Sequence, residues 1–229
     1  MLRHRSEDTG VLPARSARGR RGAVSRLVVA PHCDDETLGC GGLLAKYPGE
    51  IAVVVLAQPD EVRFKEFEVA REILGYAPAH FLGLKDGSVG EDMHRLVGLL
   101  DRVVADLRPD ELYLPFPSMH QDHIAAYEAG IRAGRLSMSE GHWFTPSLYV
   151  YDVAAYDVTL YPTNLEWNMF EALDEECIDK KVDALSAYSS QAVTGPHPIN
   201  SVKQQASVIG HARQVNWAEP YSLVRGVRV

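Results

Sequence analysis

The feature that most limits the fold of this chain is a repeated alternation: short, wholly apolar runs are followed by longer segments that are apolar on one face only. A run such as Ile51-Ala-Val-Val-Val-Leu-Ala57 has no polar face to turn to water, so as a strand it needs a layer on each side. Residues 26–31 read the same way. Residues 38–45 form a candidate helix whose glycines permit close packing. Residues 61–74 follow with helical spacing, Val62, Phe67, Ala70, Ile73 and Leu74 falling near one face and Gly75 acting as a stop. Strands are then expected at 79–84, 111–116 and 147–153, with helices at 92–107, 122–136, 174–190 and 202–211. Residues 154–170 commit to neither form. Strand and helix taking turns implies an α/β chain with a mostly parallel sheet and helices on both faces.

Bulk properties narrow the function classes. At 229 residues the chain suits one compact domain with a full core. Hydrophobic residues at 46% and charged residues at 24% argue against a disordered or fibrous protein. No apolar run approaches the ~20 residues that span a bilayer. A formal charge of −8 weighs against nucleic acid, which binds through Lys and Arg at its phosphates. The exception is residues 1–22, where Arg3, Arg5, Arg15, Arg18, Arg20 and Arg21 crowd beside only Glu7 and Asp8. With almost no apolar pattern they read as a flexible basic tail, leaving 23–229 as a single domain. They also lack the apolar stretch of a signal peptide. Cys33, Cys40 and Cys177 are odd in number and form no CxxC pair, which disfavours a disulfide framework and a zinc ribbon. A reducing cytoplasm is the expected location.

Two clusters carry chemistry. Pro31-His32-Cys33-Asp34-Asp35-Glu36 follows the first strand, and its three carboxylates would repel one another without a cation or a helix N-terminus beside them. Alone, these acids could simply decorate a helix start. His120-Gln121-Asp122-His123 follows the strand at 111–116; alone it could be a pair of loop histidines with Asp122 capping a helix. Both should open onto the carboxyl edge of the sheet, where ligands gather in doubly wound folds. Together, His32, Asp35 and His123 would give zinc two imidazoles and a carboxylate and leave a position open. Asp34 and His120 would flank that position as proton acceptor and as oxyanion stabiliser or acid. Competing chemistries lack support: there is no GxSxG elbow, and Gly39 to Gly42 has neither GxGxxG spacing nor a Walker lysine. Cys33 sits in an acidic setting that would raise its pKa, which makes it a poor nucleophile.

These residues resemble the LmbE-like, or PIG-L, deacetylases. His32-Cys33-Asp34-Asp35-Glu36, continued by Thr37-Leu38-Gly39-Cys40-Gly41-Gly42, is similar to the family's first motif, and His120-Gln121-Asp122-His123 to its second. Arg63 with Glu66, Leu84-Lys85-Asp86-Gly87, Lys181 through Ser190-Gln191, and Ala218-Glu219 with Tyr221 resemble further family segments, so the likeness runs from Arg26 to the C-terminus. The resemblance implies a Rossmann-like α/β fold and one zinc ion held by His32, Asp35 and His123. It implies Asp34 as general base, His120 as oxyanion stabiliser or acid, and Asp122 as the group that orients a histidine. Arg63 and Asp86 would border the substrate, Arg63 pairing with an anionic group or else with a neighbour on its own helix. Cys33 departs from the family's usual proline, which loosens the loop slightly but removes no ligand.

The implied activity is removal of acetyl from an N-acetylglucosamine-type conjugate, a small-molecule substrate. Two alternatives stay open: an amidase for a larger acyl group or a thiol conjugate, which a pocket too large for acetyl would favour, and a carbohydrate-binding protein without turnover. Trp143, Phe144, Tyr149, Tyr151, Tyr156 and Trp167 could stack on a sugar, but core packing is the default expectation. Oligomeric state is not readable from the sequence.

Overall fold

A computed structural model describes residues 24–76, 79–139, 141–154 and 160–227. The basic tail and Tyr156 lie outside the described residues. The elements run β1 (Arg26–Ala30), α1 (Asp35–Lys46), β2 (Ile51–Ala57), α2 (Glu61–Leu74), β3 (His80–Leu84), α3 (Met93–Leu107), β4 (Glu111–Pro115), α4 (Gln121–Ala133), β5 (Ser147–Tyr151), β6 (Met169–Leu173), α5 (Glu175–Ala187), α6 (Val202–His211) and β7 (Trp217–Arg225). The strands form one sheet in the order β3-β2-β1-β4-β5-β7-β6. β1 to β5 are mutually parallel, whereas β7 runs antiparallel to both β5 and β6.

The apolar runs behave as expected. All of β2 is buried, because β1 and β3 flank it and helices cover both faces. Helix α2 begins where the Asp60 carboxylate accepts from the Arg63 amide, and it ends at Gly75, whose φ of 75° gives the left-handed residue a helix stop requires. Helix α5 packs against α1 and α2 on one face of the sheet, while α3 packs against α4 on the other.

Two features differ from expectation. The sheet ends in an antiparallel pair, β7 and β6, which the apolar pattern does not announce. β6 is only partly buried, and β7 contains Pro220. Proline is tolerated because pairing with β5 begins only at Tyr221, so at Pro220 the strand has a neighbour on one side alone. The second is at α4, where the alternative reading of Asp122 as the cap does not hold: the cap is His120, whose Nδ1 accepts from the Asp122 amide at 3.2 Å.

The glycines of α1 are packing residues. A Cβ at Gly39 would lie 2.0 Å from the Tyr151 ring, one at Gly41 2.7 Å from Lys181 Cγ, and one at Gly42 2.3 Å from Leu173. The helix can therefore press onto β5, α5 and β6 only without side chains at these points. Trp143, Tyr149, Tyr151 and Trp167 likewise pack inside the fold; Tyr149 stacks on Tyr113 with ring centroids 4.9 Å apart, and the Tyr151 hydroxyl donates to Val29 O at 2.9 Å. Among the described residues no helix is long and apolar enough to cross a membrane.

Candidate functional site

The site lies where β1 and β4 run side by side and their following helices leave for opposite faces, α1 toward α5 and α4 toward α3. At such a crossover the loops part and leave a crevice beyond the strand ends. The loop after β1 delivers His32 and Asp34 and the first turn of α1 delivers Asp35; the loop after β4 delivers His120 and the first turn of α4 delivers Asp122 and His123.

His32, Asp35 and His123 each offer a donor atom within 4.8 Å of the other two. His32 Nδ1 is 3.3 Å from Asp35 Oδ2, and His123 Nε2 is 3.4 Å from Asp35 Oδ1. The far nitrogen of each ring is held. His32 Nε2 lies 3.1 Å from Asp122 Oδ2 and 3.1 Å from Asp86 Oδ1, while His123 Nδ1 lies 3.1 Å from Ser118 Oγ. With its Nε2 proton given to carboxylates, a neutral His32 turns a lone pair at Nδ1 toward a carboxylate oxygen. That face-to-face arrangement of acceptors is favourable only with a proton or a cation between them. Two imidazoles and a carboxylate at this spacing suit zinc.

Electrostatics agree with a site built around positive charge. Burial opposes a charged His32, but the carboxylates of Asp35, Asp122 and Asp86 more than offset it and hold the pKa up at about 9. Burial also opposes charge on Asp35, and the adjacent His123 and His32 reverse that and hold it well below the usual carboxylate range. His120 is pushed down by burial and by the neighbouring histidines.

Asp34 occupies the most unusual backbone position in the site, with φ at 123°. A residue with a Cβ avoids this conformation at a cost of about 1–3 kcal/mol, and such outliers collect at functional sites. Glu36, fully buried, holds it: its carboxylate accepts from the Asp34 amide at 3.0 Å and from the Tyr188 hydroxyl at 2.8 Å. The Asp34 carboxylate meets Arg63 Nη1 at 2.6 Å, and the same nitrogen donates to Cys33 O at 2.8 Å. Arg63 is thus tied into the loop of the first cluster, not to a neighbour on its own helix. Burial, together with Asp35, raises the Asp34 pKa to about 8 despite Arg63. The Cys33 thiol is buried and pushed up by burial and by Glu36 and Asp34, which leaves it unreactive as expected.

Asp122 is the hub of the site, and the histidine it faces is His32. Fully buried, Asp122 accepts from Gly87 N at 2.7 Å and Val89 N at 3.0 Å while contacting His32. It therefore ties the loop after β3 to both clusters. Ser118 and the structural part played by Glu36 were missed: a serine a few residues before a histidine is too common a pattern to stand out. Asp86 is close to His32 yet 73% exposed, on the solvent side of the site.

Comparison with known proteins agrees with this geometry. The family model PIG-L, GlcNAc-PI de-N-acetylase, matches residues 27–134. The uncharacterized deacetylase YaiS of Escherichia coli K12 is 25% identical over 190 residues, 76% of this chain and 94% of that protein. Among solved structures, the conserved protein TT1542 of Thermus thermophilus superposes with a TM-score of 0.73 at 28% identity, covering 90% of this chain and 97% of its own. GalB, the 4-carboxy-2-hydroxymuconate hydratase of Pseudomonas putida KT2440, reaches 0.69 at 19% identity over 90% of this chain and 98% of its own, a likeness of fold alone. His32, Asp34, Asp35, His120, Asp122 and His123 all fall inside the matched segment, and residues 27–134 of this chain carry a PIG-L (LmbE-like) family domain.

Proposed function

We propose that this protein is a zinc-dependent hydrolase that removes an acetyl group from the nitrogen of an amino-sugar conjugate. The observation that carries the reading is the meeting of His32, Asp35 and His123 at one point, with Asp34 and His120 in the flanking loops. The family match and the deacetylase relative support amide hydrolysis, and the family description supports an N-acetylglucosamine unit.

Bound zinc would supply a Lewis acid that polarises the amide carbonyl and lowers the pKa of water toward roughly 7. Asp34 takes the proton of the attacking water, its carboxylate kept in place by Arg63 and its backbone by Glu36. His120 accepts a backbone amide at Nδ1, so as a neutral ring it carries its proton on Nε2. That proton is donated to the amide oxygen as negative charge builds there, or to the departing amine. Asp122 fixes the orientation of His32. Arg63, paired with Asp34, and the exposed Asp86 would border the polar groups of a substrate. Buried, unpaired thiols suit a reducing cytoplasm.

The test is metal content and acetate release measured on the same preparation of wild type and Asp34→Asn, against a panel of N-acetylglucosamine conjugates. About one zinc per chain is expected in both, with acetate release falling roughly 10²–10⁴-fold in the variant. Zinc-loaded wild type that frees no acetate from any conjugate would refute the assignment. That outcome is a real one, because a hydratase shares this fold.

A further inference from the structure

A cleft of about 460 Å³ opens beside Asp34 and runs outward over α5, the turn at Ser189–Gln191 and the start of α6. A volume in the range of 300–1,000 Å³ holds a whole small ligand, far more than the three heavy atoms of an acetyl group. Its walls are mainly apolar, with Val182 and Leu185 from α5, Val193 and Ile199 from the following segment and Val202 from α6.

Most polar side chains along the cleft are committed to the protein itself, the exposed Gln204 excepted. Ser186 donates to Val182 O at 2.9 Å, Ser189 to Glu66 at 3.0 Å, and the Asn200 amide to Val193 O and Gly195 O at 2.8 and 2.9 Å. The Lys203 ammonium is paired with Asp179. A sugar hydroxyl, a phosphate or a carboxylate would gain little from walls that are mainly apolar and whose donors, Gln204 apart, are already engaged. An apolar chain would gain from all of them.

The position of the cleft says which part of a substrate it receives, given the amide-hydrolysis reading above. Asp34 and the cleft lie on the α1, α2 and α5 side of the sheet, and His120 lies at the head of α4 on the other. Of the two proton acceptors named above for His120, the departing amine is the one that sets this orientation: it leaves on the α4 side and the acyl group turns toward the cleft. We infer that the cleft beside Asp34 is an acyl-chain subsite, and that the enzyme accepts amides whose acyl group is an extended alkyl chain in addition to acetyl.

The experiment compares N-acetyl-, N-butanoyl-, N-hexanoyl- and N-octanoylglucosamine with the octyl glycoside of N-acetylglucosamine. Equilibrium binding is read on zinc-loaded Asp34→Asn, and carboxylate release on zinc-loaded wild type. Affinity should tighten by roughly three- to fourfold per buried methylene along the acyl series. Introducing Val193→Asp should flatten that series; Val193 is 40% exposed, so the change does not threaten folding. Binding that is flat along the series would overturn the subsite whether or not the amides are cleaved. Tightening for the octyl glycoside but not for the acyl series would also overturn it, since the cleft would then hold the departing side. Tightening along the acyl series with no carboxylate released would uphold the subsite while removing amide hydrolysis.

Discussion

Lys181→Met probes the interior junction on which the site's first helix rests. Lys181 and Glu219 form an ion pair of 2.7 Å with side chains only 5% and 2% exposed. The Glu219 carboxylate also accepts from Gly42 N at 2.7 Å, Leu43 N at 2.8 Å and the Tyr221 hydroxyl at 2.9 Å. Breaking a buried pair by removing one partner costs about 3–5 kcal/mol, because the other charge is left behind. The two halves should not cost the same. Methionine keeps the stem that packs on Gly41, and Glu219 retains three donors, which places Lys181→Met near the lower end, about 3 kcal/mol. Glu219→Met strands a buried ammonium and three donors, each worth about 1–3 kcal/mol when unsatisfied, so its loss should reach or exceed about 5 kcal/mol. Such a loss rivals the whole stability of many domains. Urea unfolding of wild type, Lys181→Met, Glu219→Met and the double variant measures this. The double variant should be more stable than the sum of the singles predicts, by about 2–3 kcal/mol. Strict additivity, or a Lys181→Met protein as stable as wild type, would refute the reasoning.

Gly39→Ala places a Cβ 2.0 Å from the Tyr151 ring, whose hydroxyl is anchored on Val29 O, so thermal unfolding should show a destabilisation of at least about 1–3 kcal/mol. Asp122→Ala removes the group that orients His32, and zinc affinity measured by chelator competition should fall roughly 10–100-fold. It should fall far less in Asp86→Ala, because that carboxylate is largely in water. Glu66 gives a pH signature. Burial opposes its charge, but the hydroxyl and amide of Ser190 and the hydroxyl of Ser189 more than offset this and hold its pKa below the usual 4.5. A depressed carboxylate stabilises the fold above its unfolded pKa and ceases to as pH falls through the folded one. Wild type should therefore exceed Glu66→Gln in stability at pH values above the usual 4.5, and the gap should narrow as the pH is lowered beneath it; a gap independent of pH would count against the arrangement.

The sequence by itself determined the parallel half of the fold and which two clusters gather at the candidate site. The wholly apolar β2 can be satisfied only between two layers, and strands that alternate with amphipathic helices then arrive side by side with their loops at one edge. Two polar clusters directly after β1 and β4 had to open together, because strand order and crossover handedness leave them no other place. The end of α2 at Gly75 was legible for an equally local reason, the left-handed backbone that glycine adopts without strain.

Tertiary structure alone decided the rest. Met169–Leu173 and Trp217–Arg225 become strands because β5 and then β7 offer unpaired edges, and no local pattern of their own announces it. The cap of α4 passed to His120 because Asp122 was taken by Gly87, Val89 and His32, partners distant in sequence. Arg63 could be read as pairing with a neighbour on its own helix until the fold set it against Asp34 and Cys33 O. The cleft beside Asp34 exists only through the packing of α5 and α6, segments far away along the chain. A sequence specifies which groups a site can use, because that is chemistry carried by each residue. Which atoms they face, and how much room lies beside them, depends on contacts between distant segments that come into being only when the chain folds.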